Sequence, residues 1–258
     1  MLRPPILIQA IKQVAGLVAI AFRYDNKVPG PEDGPSRNAY RLPFAGAWTV
    51  FNGGVTEETS HSWDVVTQRY AYDFLVLDDE GGSCAPDPAD PSDPASYRCY
   101  GLDVLAPAAG TVAEARDDCP DAPIALDGSV ACGGDDIRGN YVLIEHAHGE
   151  YSSLCHLMPG SVAVRVGDEV ACGQAVGRCG TSGNSSEPHL HFHVQAGRSF
   201  YASLGVPVRF EGVLAEPAPR YEAADPRPLP SDAGDSFPPF LTRGLRVRPA
   251  PADGEAAR

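Results

Sequence analysis

Lysine is almost missing from this chain of 258 residues, with Lys12 and Lys27 the only two. Basic residues as a whole are outnumbered, 20 Lys and Arg against 34 Asp and Glu, for a formal net charge of −14. Nucleic acids and anionic membrane surfaces are bound through basic patches, so this balance argues against both. A neutral or cationic peptide is an easier ligand than a polyanion. The seven cysteines include no Cys-x-x-Cys pair, which disfavours a closed zinc–thiolate site. A His-Glu-x-x-His motif is absent as well, and with it the glutamate base such a helix would supply. There is no internal repeat of solenoid length and no sustained heptad pattern.

What is present points to a mainly β protein. The 27 Gly and 25 Pro make the chain turn-rich, and a hydrophobic fraction of 43% is ample for one sizeable core. Segments such as Tyr141 to Glu145, Val162 to Val166 and Leu190 to Val194 alternate or run apolar at strand length. The organisation read from composition is an N-terminal apolar helix and linker over 1–39, a domain over 40–214, and a Pro- and Ala-rich tail over 215–258 that is expected to be mostly irregular. Within that tail, Phe237 to Leu245 is apolar enough to dock back on the domain or, equally, to serve as a partner segment.

The most informative pattern is Pro188-His189-Leu190-His191-Phe192. In a strand, residues i and i+2 share a face, so both imidazoles can converge on one metal and its water. Seven histidines are available, and His61, His156, His189 and His191 fall in segments that read as one constellation. Asp73 lies in an alternating aromatic and apolar stretch from Gln68 to Phe74, which reads as a partly buried strand. A buried carboxylate needs a partner: Arg69, a backbone donor, or a metal shared with His61 and His191.

These residues resemble the lysostaphin-like zinc endopeptidases, which cut peptide cross-bridges in bacterial cell walls. The resemblance runs from about Arg41 to Phe210, and its elements fall in the family's order. A His and then an Asp are followed by Leu105-Ala106-Pro107-Ala108-Ala109-Gly110-Thr111-Val112, Gly139-Asn140-Tyr141-Val142-Leu143-Ile144-Glu145-His146 and Tyr151-Ser152-Ser153-Leu154-Cys155-His156-Leu157. Next come Val166-Gly167-Asp168-Glu169-Val170 with Gly173-Gln174, then Gly180-Thr181-Ser182-Gly183-Asn184-Ser185, and finally the His-x-His pair. The resemblance implies an antiparallel β-sheet groove, with Zn2+ held by His61, Asp73 and His191. It implies His156 and His189 as catalytic histidines outside the ligand set, and peptidoglycan or another peptide as substrate. Two features depart from the family. Residues 62–72 lie between His61 and Asp73, a longer separation than most members show, with Asp64 as an alternative acid nearer to His61. His193 stands where many members carry an acid, and is read as a donor behind the ligands or a rim residue.

Two rival functions are weighed against the peptidase. The turns around Ala106 to Val112 and Val166 to Val170 are also those of barrel-sandwich hybrids such as lipoyl or biotin carriers. A carrier needs a lysine at a hairpin tip, and both lysines lie outside the domain. The other rival is a catalytically silent relative that binds wall peptide or regulates another hydrolase, and the retained His, Asp and His argue against it.

The seven cysteines fit an oxidising compartment. Cys84 and Cys99 bracket one loop and Cys119 and Cys132 a second, so each pair is placed to staple its loop. Residues 5–22 fit three readings: a signal peptide, a spanning helix with Lys12 near its middle, or an amphipathic helix. In the last, Leu7, Ile11, Val14, Val18 and Phe22 form one stripe opposite Gln9, Lys12, Gln13 and Gly16. Membrane association through 5–22 and an extracytoplasmic location, whether secreted, periplasmic or membrane-anchored, are the corresponding expectations.

Overall fold

The computed structural model describes residues 4–24, 30–32, 34–130, 136–229 and 240–251. Helix α1 spans Pro4–Tyr24 and is followed by β1 (Trp48–Asn52), β2 (Tyr72–Leu75), β3 (Asp103–Leu105), β4 (Gly110–Arg116), β5 (Tyr141–Glu145) and β6 (Tyr151–Cys155). Then come β7 (Glu169–Val170), β8 (Ala175–Arg178), β9 (Leu190–Gln195), β10 (Gly205–Val206), β11 (Val213–Pro217), the short helix α2 (Tyr221–Ala224) and β12 (Leu245–Pro249). Ten strands form one antiparallel sheet in the order β11-β12-β1-β2-β9-β6-β5-β4-β7, with β10 also bonded to β9. The remaining two, β3 and β8, pair with each other.

Alternation along the central strands explains the sheet. Tyr72 and Phe74 of β2, Leu190, Phe192 and Val194 of β9, Leu154 of β6, and Val142 and Ile144 of β5 all point into one core, joined there by Val104 of β3 and Val176 of β8. Burying a side chain of this size contributes roughly 1.5–3 kcal/mol. The register locks the pattern, because Tyr72 pairs with Phe192, Phe192 with Leu154, and Leu154 with Val142. One step along each strand, the row Asp73, His191, Cys155, Tyr141 must then face the other way. That second face is covered too, so all six residues of β9 are buried.

The stretch after residue 214, expected to be mostly irregular, supplies most of β11 and all of β12. β12 pairs with both β11 and β1 in the main sheet. The Leu245-Arg246-Val247 alternation is too short to stand out in a Pro-rich context, yet Leu245 and Val247 are core residues. Helix α1 packs Gly16 and Ile20 inward, Gly16 against the Tyr201 carbonyl and Ile20 with Val66 and Leu204. Its stripe of Leu7, Ile11, Val14, Val18 and Phe22 is exposed. Residues Leu7–Tyr24 are long and apolar enough to cross a membrane.

The expected Cys84–Cys99 bridge is not formed. Both are free thiols; Cys84 stands opposite Tyr97, while Cys99 turns inward and donates to the Pro188 carbonyl at 3.0 Å. The loop between them is held instead by its own turns and by Arg98, which donates to Asp78 at 2.6 Å. The oxidising compartment inferred from the cysteines thereby loses this bridge as support. Cys132, half of the other expected pair, lies outside the described residues.

Candidate active site

The Asp73 carboxylate is the centre of the site. It is buried on β2 beside its cross-strand partner His191, whose Nδ1 is 3.0 Å from Oδ1. His61 brings Nδ1 to 3.2 Å from Oδ2, and Nε2 of His189 is 3.6 Å from Oδ1. Burial by itself would raise the carboxyl pKa, but His61, His189 and His191 together hold it well below the ordinary carboxylate value. The structure brings His61, Asp73 and His191 together, with one ligand atom from each within 4.8 Å of the others. Two imidazoles and a carboxylate are a donor set suited to zinc, and three protein ligands leave a position for water or substrate. Asp64 is exposed in a turn and lies outside this cluster.

His156 and His189 are oriented from behind. The Nδ1–H of His156 donates to the Ser182 carbonyl at 2.7 Å, and that of His189 to the Glu187 carbonyl at 2.8 Å. A carbonyl can only accept, so in the neutral form each ring carries its lone pair on Nε2. For His189 that atom points at Asp73. The two rings are neighbours, their centroids 4.7 Å apart, and His156 is 5.7 Å from His191. Burial first, and then the neighbouring imidazoles, push His156 well below its ordinary value, so it is neutral at pH 7. His156 also holds φ at 61°, a left-handed conformation that costs a residue with a Cβ about 1–2 kcal/mol. Close approach of Gly139 and Gly183 makes this corner possible: a Cβ on Gly183 would lie 2.4 Å from the Gly139 nitrogen.

Several residues that support the site carry no recognisable sequence signal. Asn52 of β1 donates to Asp73 Oδ2 at 2.9 Å and accepts from Arg227 at 2.7 Å. Arg227 is in turn gripped by Asp225, which also binds the buried Arg243 at 2.8 Å. The chain beyond residue 214 therefore braces the central carboxylate. Gln68 is buried, with its amide 3.2 Å from Nε2 of His191. A cleft of about 160 Å3 opens over this group, with His61, Gln68, His156, His191, Arg138 and Asn184 among its lining residues. Asn184 Oδ1 is buried there with no hydrogen-bond partner among the described residues. Arg138 is committed to Asp136, at 2.7 Å, and its guanidinium stacks on Tyr141. Of the other histidines, His146 is structural, bonded at 2.8 Å to both the Ala109 carbonyl and Ser152.

A triad suited to a metal thus lies on an antiparallel sheet beside two oriented imidazoles. A family model described as Peptidase family M23 matches residues 96–202. The match contains His156, His189 and His191 but ends short of His61 and Asp73, which belong to the strands and loop before it. Cell division protein DipM of Caulobacter vibrioides (strain NA1000 / CB15N) is 35% identical over 71 residues, 27% of this chain and 11% of that protein. The chain thus spans a small part of that relative's length. Among solved structures, a zinc containing peptidase from Vibrio cholerae shares 21% identity at a TM-score of 0.35, covering 65% of this chain and 39% of the other. The catalytic domain of the antimicrobial peptidase lysostaphin from Staphylococcus simulans shares 18% identity at a TM-score of 0.34, covering 62% and 88%.

Proposed function

We propose that this protein is a zinc-dependent endopeptidase that hydrolyses peptide bonds in bacterial cell-wall cross-links, working outside the cytoplasm. The observation that carries the reading is the convergence on Asp73 of His61, His189 and His191, with His156 alongside. His61, Asp73 and His191 would hold the metal. Bound zinc supplies a Lewis acid for the scissile carbonyl and lowers the pKa of water to about 7. The remaining chemistry belongs to the chain. His189 and His156 present Nε2 lone pairs, so either can take a proton from the attacking water and return it to the leaving amine. Their Nδ1–H bonds to Glu187 and Ser182 keep that tautomer in place and steady the imidazolium that forms. We take the working unit to extend through β12, because Arg227 and Asp225 brace Asp73 through Asn52.

The catalytically silent alternative calls for a protein that binds wall peptide without turnover, and the retained donor set weighs against it. Purified protein assayed for metal and then incubated with defined peptidoglycans, with products read by mass spectrometry, tests the proposal. About one zinc per chain and cleaved cross-links are expected. A metal-free protein, or a zinc-loaded one that leaves every wall preparation intact, would overturn it.

A further inference from the structure

A buried polar row runs along β9 on the face that carries His191. Nε2 of His191 is 3.3 Å from Nδ1 of His193, Nε2 of His193 is 3.0 Å from Oε1 of Gln195, and Nε2 of Gln195 donates to the Gly197 carbonyl at 2.7 Å. All three side chains belong to residues at most 3% exposed, so water does not complete these bonds. We infer that His193 and Gln195 are positioning residues, fixing a hydrogen on Nε2 of His191 and thereby aiming its Nδ1 at the cation shared with Asp73.

The direction of the row follows from its far end. The Gly197 carbonyl can only accept, so it fixes the Gln195 amide with nitrogen toward Gly197 and oxygen toward His193. That oxygen also only accepts, which puts a hydrogen on Nε2 of His193 and leaves its Nδ1 bare. A bare Nδ1 beside Nε2 of His191 requires the hydrogen of that contact to sit on His191. Nδ1 of His191 then faces Asp73 Oδ1 at 3.0 Å, two acceptors with room between them for one cation, a proton or a metal. The Gln68 amide nitrogen stands 3.2 Å from the same Nε2, so the relay requires this amide to flip and present its oxygen to the Nε2–H. Hydrogen bonds behind a metal-binding imidazole set its tautomer and are typically worth 10–100-fold in affinity. The inference rests on the proposed role of His191 as a ligand.

The test reads tautomers and metal separately. Long-range 1H–15N correlation of the imidazoles in zinc-free protein at neutral pH should show Nε2 protonated on both His191 and His193, with Nδ1 of His193 bare. Hydrogen on Nδ1 of His193, or a bare Nε2 on His191, would overturn the relay with no variant needed. Gln195→Met removes the acceptor at nearly constant length. It should let His193 populate the other tautomer and weaken zinc binding by about 10–100-fold in a chelator competition. His193→Glu accepts from His191 without help from Gln195, so adding Gln195→Met to it should cost no further affinity. A full second loss in the double variant would mean that Gln195 acts only through packing, and would reject the relay. Should wild-type protein show the expected tautomers yet bind no zinc, the metal reading fails while the relay stands.

Discussion

Strand β9 and the loop between β1 and β2 each bring an imidazole to the same carboxylate, and they do so in opposite ways. His191 sits in a strand bonded along both edges, with Asp73 and Cys155 as its cross-strand neighbours. His61 sits outside any strand or helix, its side chain 28% exposed. The sheet side of the site is preorganised by the same register that builds the core. The loop side is held chiefly by the contact His61 makes with Asp73 and by its edge-on packing against the His191 ring. A ligand whose position is already fixed by folding costs little to organise on binding, whereas a loop ligand must be ordered at that moment.

The largest expected effect follows from that contrast. His191→Ala and Asp73→Ala should each remove most of the expected one zinc per chain, whereas His61→Ala should leave weaker but measurable binding. Metal content after dialysis against a weak chelator reads the difference. Equal loss in all three variants would erase the distinction, and undiminished zinc in Asp73→Ala would remove the carboxylate from the ligand set.

Next in size is the separation of binding from chemistry within the imidazoles themselves. His156→Ala and His189→Ala should keep zinc while turnover falls by on the order of 10²–10⁴, the range for a general acid or base. Loss of metal in either would make that residue a ligand. Full activity in both would leave the proposed mechanism without a base.

The same contrast governs what could be read before folding. The His-x-His pair and the apolar residues around it are legible because strand periodicity is local: alternate residues share a face whatever the rest of the chain does. His156 follows from its place beside β6, although its left-handed backbone depends on Gly139 and Gly183 meeting across two loops. The approach of His61 to Asp73 is a matter of loop closure, which no periodicity encodes. The brace from Asp225 and Arg227 through Asn52 spans more than 170 residues of sequence between its ends. Nothing in Leu245 to Pro249 announces that it pairs with β1. Two cysteines around a Pro-rich loop suggest a Cys84–Cys99 bridge, but spacing does not say which way a thiol turns, and Cys99 turns toward Pro188.

That brace gives a smaller, graded prediction. Asn52→Ala removes the donor to Asp73 Oδ2 and leaves Arg227 without its side-chain acceptor at 2.7 Å. A hydrogen bond to a charged group is worth about 1.5–3 kcal/mol, so zinc affinity should fall by about 10- to 150-fold. The fold should survive, since Arg227 keeps Asp225. Unchanged affinity would mean that the sheet alone positions the carboxylate and that the C-terminal strands serve stability only.

The smallest effect is one of pH in the zinc-free protein, and it again divides sheet from loop. Burial, and then His191, push His193 down to about 3; burial pushes His61 down to about 4, against the pull of Asp73. A histidine lowered in the fold is neutral there while its unfolded counterpart charges below about 6.5, so the unfolded chain binds more protons and stability falls with acid. The contribution is fully present above pH 6.5 and is lost as pH drops toward the folded value. A group that stays buried costs about 1.4 kcal/mol per pH unit within that window. His193 on β9 is 1% exposed and has no route to water, so it should show this slope in full, whereas His61 can swing outward and charge in solvent. Urea unfolding of zinc-free wild type, His193→Gln and His61→Gln between pH 7 and pH 4 should therefore give a flatter acid slope for His193→Gln alone. A slope flattened equally by His61→Gln would show that the loop is as rigid as the strand, and the division drawn between them would fail.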